Sequence, residues 1–196
     1  MTFPDSISSS LFVVSIRSGW DGREPNIKLL FIFLGLLGVA ILQTTVGPLV
    51  GVLGVSPDAV LVLVVSWALV RGSERGMVWG FLGGLSVDLL SGAPLGTHTL
   101  ALVLVGFLAG LVRRMPFHSR LVLPLIVIIG ATLTYDLVTA LILRVAGWPL
   151  SLPLAITGVI VPSLITNAAL MPLTFWTVLW TIFQLDRFRG ELRPLF

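Results

Sequence analysis

Residues 76–92 read GMVWGFLGGLSVDLLSG, with glycine or aspartate at every fourth position. Residues four apart lie on nearly the same face of an α-helix, so this spacing predicts a helix with a small-residue stripe that ends in a carboxylate. In lipid, helices associate through close backbone approach, and such stripes mark their contacts. With a similar pair further along the chain, the candidate packing or partner-binding residues are Gly76, Gly80, Gly84, Asp88, Gly92, Gly106 and Gly110.

The composition of the whole chain is that of a membrane protein. Of its 196 residues, 56% are apolar and 11% are charged, and the mean hydropathy is +1.06. A soluble domain carries about 25% charged residues to cover its surface. These values exclude a soluble globular enzyme and favour an all-α, polytopic membrane protein. The absence of cysteine excludes disulfides, thiolate metal sites and thiol catalysis.

Six apolar segments are candidates for transmembrane helices, each of which needs about 20 residues to cross the hydrocarbon core. They cover residues 28–47, 56–70, 76–90, 97–112, 121–143 and 150–184. The second to fourth are shorter than the usual lower bound of about 17 residues, so by length alone any of them could be re-entrant. In the second segment we expect Ser56 to be the N-cap, Pro57 the first helical residue and Asp58 to face the positive helix end.

The basic residues orient these segments. With six crossings and the N-terminus inside, only Arg144 of the 12 Lys and Arg residues falls outside. This asymmetry is the positive-inside signal, and it predicts a compact bundle of six transmembrane helices with both termini in the cytoplasm. The basic residues therefore set the topology and contact membrane lipids, and we expect no nucleic-acid partner.

The last apolar segment contains Pro153, Pro162 and Pro172. A hairpin there would place the basic residues near the C-terminus outside, so we favour one long crossing kinked at proline. The expected domain organisation is a polar cytoplasmic head at 1–27, a six-span membrane domain at 28–185 and a basic cytoplasmic tail at 186–196.

Ionisable residues inside apolar segments are the other candidate functional positions. Asp136 shares a helix face with Thr132 and Thr139, and we favour an interhelical hydrogen bond there over a ligand or proton site. No spacing typical of a metal site, a phosphate-binding loop or a catalytic nucleophile occurs, so we expect no metal, no cofactor and no enzyme. The predicted topology gives an outer polar crown that binds a ligand or receives a partner's helix, formed by Asp58, Asp88, His98, Asp136 and Arg144.

Several short stretches of the chain match the layout of one family. They are RGSERG at 71–76, GFLGGL at 80–85, DLLSGAPLG at 88–96, QTT at 43–45, PD at 57–58, and Gly106-x-x-x-Gly110 before Arg113 and Arg114. Together they resemble the MreD family of rod shape-determining proteins, over roughly residues 28–185.

The resemblance implies a non-enzymatic subunit of the bacterial inner-membrane elongation complex, which directs lateral peptidoglycan synthesis. It implies binding to MreC, association with the RodA glycosyltransferase and its penicillin-binding transpeptidase, and indirect contact with MreB. A homodimer is left open. The family is also similar in fold to the six-helix substrate-binding subunits of energy-coupling-factor vitamin transporters, and that similarity supplies an alternative function.

The residues favour the scaffold over the transporter. The transporter subunits commonly carry Ala-x-x-x-Ala in the first span, whereas residues 31–40 here read FIFLGLLGVA and lack it. The outer loops are also poor in the aromatic and polar residues that a vitamin pocket needs. We therefore expect an MreC-binding scaffold with contacts at Gly80, Gly84, Asp58, Asp88 and Asp136.

Overall fold

The computed structural model describes residues 25–50, 55–113, 122–148 and 156–188. These ranges form six α-helices and no β-strand, which confirms the predicted all-α class. A π-helical turn, Ile156–Ile160, leads directly into the last helix. The helices are α1 (Pro25–Val50), α2 (Ala59–Arg71), α3 (Ser73–Ser91), α4 (Thr97–Val112), α5 (Val122–Val145) and α6 (Val161–Phe188).

The chain divides into two units, Met1–Phe31 and Ile32–Phe196. Of the first unit, the described residues are only 25–31, the start of α1. The rest of α1 and helices α2 to α6 belong to the second unit, and every contact discussed below lies within it.

Helix α2 is the centre of the second unit. It contacts α3, α4, α5 and α6, and its buried residues include Val60, Leu61, Val64 and Val65. The sequence of α2, AVLVLVVSWALVR, is apolar around the whole circumference, as is typical of a helix buried on all sides. Residues of α1, α4, α5 and α6 join it in one apolar core.

Helix α1 packs through one narrow face. Leu36 and Ala40 are buried and belong to the apolar core, and Gln43 lies half-buried one turn further along the same face. The opposite face is exposed and apolar, with Leu34 and Leu42 among its side chains. That face is suited to contact with lipid.

The start of α2 differs from the sequence prediction. Asp58, not Ser56, is the N-cap: its carboxylate accepts the Leu61 N–H at 2.9 Å, and its carbonyl accepts the Val62 N–H at 3.0 Å. Pro57 therefore precedes the helix instead of opening it. The shift follows from chemistry, because the Asp58 carboxylate is the group that meets the free N–H groups of the first turn.

Helix α6 and the π-helical turn before it confirm that residues 156–188 form one continuous helical segment rather than a hairpin. Pro172 lies inside α6. Its ring removes one backbone hydrogen bond without ending the helix, as transmembrane helices tolerate.

Three described segments are long and apolar enough to cross a membrane: Leu29–Gly47, Val122–Val145 and Gly158–Gln184. The apolar helices α2 and α4 are shorter, at 13 and 16 residues. Six crossings with both termini inside therefore stay a prediction. Several predicted features lie outside the described residues: most of the head at 1–27, the basic residues Arg114 and Arg120, Pro153, and the tail beyond residue 188.

Candidate functional site

Helices α3 and α4 pack backbone against backbone through glycine. A Cβ added at Gly80 would overlap the Leu102 carbonyl group, and one at Gly84 would overlap the Thr99 backbone. Gly76 and Gly106 face each other in the same way, each against the backbone of the other. Only glycine permits this approach, which brings the two helices closer than side chains would allow.

The same contact extends to the start of α3. A Cβ at Gly110 would overlap the backbone of Ser73. Gly83 faces the other way, toward α2, where a Cβ would lie 2.9 Å from Val60 Cγ1. Helix α3 therefore packs through two faces, and the predicted glycine stripe is the one that contacts α4. Gly83 lies on the other face, and the four-residue spacing did not predict it.

Gly92 does not continue this contact. It follows the last residue of α3 with φ +66°, and no atom lies within 4 Å of a Cβ built there. Its left-handed backbone ends the helix, which is the usual use of glycine just after a helix C-terminus. The sequence predicted that Gly92 packs against another helix, but in the structure it ends α3.

Asp88 binds the loop that connects α3 to α4 and the first turn of α4. Its carboxylate accepts the backbone N–H groups of Gly96 at 2.9 Å, His98 at 2.8 Å and Thr99 at 3.0 Å, and also the Thr99 hydroxyl. The side chain is 3% exposed. A buried carboxylate at the N-terminus of α4 satisfies N–H groups that the helix itself leaves free and faces the positive end of the helix dipole.

A second group of polar residues joins five helices on the same side of the second unit. We call Gln43, Asp58, His98, Thr132, Tyr135 and Asn167 the polar cluster. The Asp58 N–H donates to Asn167 Oδ1 at 2.8 Å, and Asn167 Nδ2 donates to Thr132 Oγ1 at 3.2 Å. Asn167 is 1% exposed. Its amide supplies the Asp58 N–H and the Thr132 hydroxyl with hydrogen bonds that buried polar groups can no longer make with water.

The other half of the polar cluster is built around Tyr135. His98 Nδ1 lies 2.8 Å from the Tyr135 hydroxyl oxygen, and the hydroxyl also interacts with the Asp58 carboxylate. Which of the two groups donates in the His98–Tyr135 contact depends on the imidazole tautomer. Gln43 Oε1 accepts the Val60 N–H at 3.2 Å and ties α1 to the start of α2.

Asp136 lies beside the polar cluster and is less completely satisfied. Its side chain is half-buried. Within the described part of the chain, the buried atoms Asp136 Oδ2 and Thr139 Oγ1 have no hydrogen-bond partner. The interhelical hydrogen bond expected on this face forms at Thr132, one turn away, and not at Asp136.

The predicted outer residues therefore separate into three kinds of position. Asp58, Asp88 and His98 are bonded inside the helix bundle, Asp136 is half-buried beside them, and Arg144 is exposed two turns beyond Asp136. Among the described residues no group of three or more His, Cys, Asp or Glu is placed to hold a metal ion.

Tyr135 and Asn167 were not singled out from the sequence. The available signal is that each is a polar residue inside a mostly apolar helix, where an unpaired polar group is costly. Their partners are far away in the chain: Tyr135 comes 37 positions after His98, and Asn167 comes 109 positions after Asp58. Helical spacing cannot indicate contacts at that separation.

The match to a protein family covers this whole arrangement. The family model described as rod shape-determining protein MreD matches residues 26–185. The chain belongs to the MreD family. As an MreD-family member it is a rod shape-determining membrane protein, and the matched range contains the glycine contact, Asp88 and the polar cluster. Comparisons with curated proteins and with solved structures gave no match.

Proposed function

We propose that this MreD-family protein is a non-enzymatic integral subunit of the bacterial elongation complex in the cytoplasmic membrane. It binds MreC and helps to organise lateral peptidoglycan synthesis by the RodA glycosyltransferase and its penicillin-binding transpeptidase, with MreB as an indirect partner. The observation that carries the proposal is the family match over residues 26–185. A second copy of the chain is an additional candidate partner.

The distribution of charge supports the multi-pass orientation. Helix α2 runs from its N-cap Asp58 to Arg71, and α3 runs back with Asp88 near its end. Helix α4 has His98 in its first turn and is followed by Arg113. The three arginines Arg71, Arg75 and Arg113 thus lie at one end of α2 to α4, opposite the two carboxylates. The positive-inside rule assigns the arginine end to the cytoplasm and the carboxylate end to the outside.

Contacts inside the chain reduce the number of predicted residues that are available to bind MreC. Gly80 and Gly84 lie against α4, and every described bond of Asp88 is made inside the chain. Substitution at these positions therefore changes the fold before it changes a partner contact. Among the predicted outer residues, Asp58 and His98 are half-buried and bonded inside the chain. Asp136 is half-buried with an oxygen that has no partner in the described residues, and Arg144 is exposed.

We place the MreC contact at Asp136 for this reason. A hydrogen-bond donor on the MreC transmembrane helix would bind the exposed part of this half-buried carboxylate, whose buried Oδ2 has no donor in the described part of the chain. Such a bond is favourable because the alternative in lipid is an unsatisfied carboxylate.

Affinity purification from native membranes in mild detergent, followed by mass spectrometry, tests the function. We expect the tagged protein to recover MreC together with the glycosyltransferase and transpeptidase. Recovery of two ATPases and a coupling membrane subunit instead would contradict the proposal.

Two variants test the contact itself. Asp136→Leu should lose MreC at normal expression, whereas Leu137→Ala, a change at the exposed neighbouring position, should retain it. Equal recovery with both variants would show that Asp136 is not the contact, while leaving the purified complex as evidence for the function.

A further inference from the structure

Tryptophan and arginine alternate at four-residue spacing across the turn between α2 and α3. The residues are Trp67, Arg71, Arg75 and Trp79, with the turn at Gly72 in their middle. Because α2 and α3 are antiparallel neighbours, each tryptophan lies one helical turn further from the turn than its arginine. The two indole rings stack across the helix pair, with centroids 4.1 Å apart and planes at 20°.

Arg113 brings a third guanidinium to this turn. It follows the last residue of α4, and its Nη1 would lie 3.4 Å from a Cβ at Gly72. Arg75 and Arg113 are exposed and Arg71 is half-buried. Glu74 is the sole acidic residue in the sequence between Asp58 and Asp88, so positive charge dominates this end of α2 to α4.

The two indoles add apolar ring surface beside these arginines. Tryptophan in membrane proteins is concentrated where hydrocarbon meets headgroups, with the ring among acyl chains and the N–H toward polar atoms. The stacked rings lie one helical turn further from the α2–α3 turn than the guanidiniums. This is the order expected at a membrane surface, with the rings among the acyl chains and the positive charge among the headgroups.

We propose that Trp67, Arg71, Arg75, Trp79 and Arg113, the Trp–Arg site, bind the phosphodiester headgroup of an anionic phospholipid. Guanidinium groups bind phosphate oxygens through paired, charge-assisted hydrogen bonds. The stacked rings contact the first carbons of the acyl chains. This site is separate from the MreC contact and does not depend on the proposed function.

Native mass spectrometry of the purified full-length protein tests the site. Phosphatidylglycerol and phosphatidylcholine are titrated separately into the protein in a mild detergent, and the apparent dissociation constant of each is measured. We expect phosphatidylglycerol to bind more tightly. The double variant Arg75→Gln/Arg113→Gln should weaken phosphatidylglycerol binding about 30-fold, because each arginine near anionic lipid contributes about fivefold.

The matched control is Arg144→Gln, which removes an exposed arginine in the last turn of α5. It should leave phosphatidylglycerol binding unchanged, because its charge lies outside the site. An equal loss in the double variant and in Arg144→Gln would overturn the proposal, since net charge alone would then explain the preference.

A charge-neutral variant tests the stacked rings. Trp79→Ala removes one ring of the stack without changing the charge, and it should weaken phosphatidylglycerol binding because the acyl chains lose apolar contact. Unchanged binding would remove the rings from the site. Added inorganic phosphate identifies the source of the phosphate group: if it displaced the lipid, a free phosphate ion would be the ligand and the lipid assignment would be wrong.

Discussion

Glycine in α3 and α4 and glycine in α1 have opposite environments. At Gly76, Gly80 and Gly84 a single added carbon would collide with the backbone of a neighbouring helix. At Gly35 and Gly38 the space around such a carbon is open. The residue type is the same and all are in apolar helices, so glycine content alone does not reveal which helices are held by backbone contact. Whether a glycine makes a backbone contact depends both on its spacing along the helix and on the helix that faces it.

The largest expected effect separates these two regions directly. Gly80→Leu should lower the free energy of unfolding by more than about 4 kcal/mol, because the new side chain meets the Leu102 backbone and not a movable side chain. Gly35→Leu should change it by less than about 1 kcal/mol, since nothing lies within 4 Å. Unfolding by SDS titration of protein in mixed micelles measures both. Similar losses in the two variants would contradict the packing difference.

The next comparison is between two carboxylates. Asp88→Ala should cost about 3 kcal/mol, because it leaves several buried donors of α4 unsatisfied. Hydrogen exchange at the Gly96, His98 and Thr99 amides should accelerate in the same variant. Asp136→Ala should change stability by less than about 1 kcal/mol, since its buried oxygen has no donor in the described residues. A larger loss for Asp136 than for Asp88 would reverse the assignment of structural and partner-binding roles.

Within the polar cluster, Asn167→Ala should cost about 2 kcal/mol, because it removes the acceptor of the Asp58 N–H and the donor to Thr132. Thr181→Ala is the control, since that exposed threonine bonds only within its own helix in the described residues. Thermal unfolding in detergent, followed by circular dichroism, measures the difference. Equal midpoints for the two variants would show that the Asn167 bonds to Asp58 and Thr132 contribute no stability.

The smallest effect again concerns glycine. Gly38→Ala should raise the unfolding free energy by about 0.5 kcal/mol, because alanine restricts the unfolded chain and meets no neighbour. Gly83→Ala should lower it, because the added carbon would lie 2.9 Å from Val60 Cγ1. The sign of the change, measured by the same SDS titration, is the test. A gain at both positions would mean that Val60 moves aside without cost.

The helices, and the face of α3 that packs on α4, could be predicted from the sequence. Apolar length located the segments, and four-residue spacing placed Gly76, Gly80 and Gly84 on one side. The sequence prediction failed at Ser56 and Gly92, where local backbone geometry at a helix end decides the role. It also gave no indication that Tyr135 meets His98 or that Asn167 meets Asp58, because these pairs depend on how distant helices are arranged.

The short length of α4 has a consequence for the bilayer around the protein. At 16 residues it spans about 24 Å, less than the hydrocarbon thickness of about 30 Å, yet Leu100, Leu104 and Leu108 expose apolar side chains along it. The 28 residues of α6 span about 42 Å. If α4 crosses the membrane as the sequence predicts, lipid must thin beside it and not beside α6. An asymmetric deformation of this kind gives neighbouring membrane proteins a preferred side from which to approach.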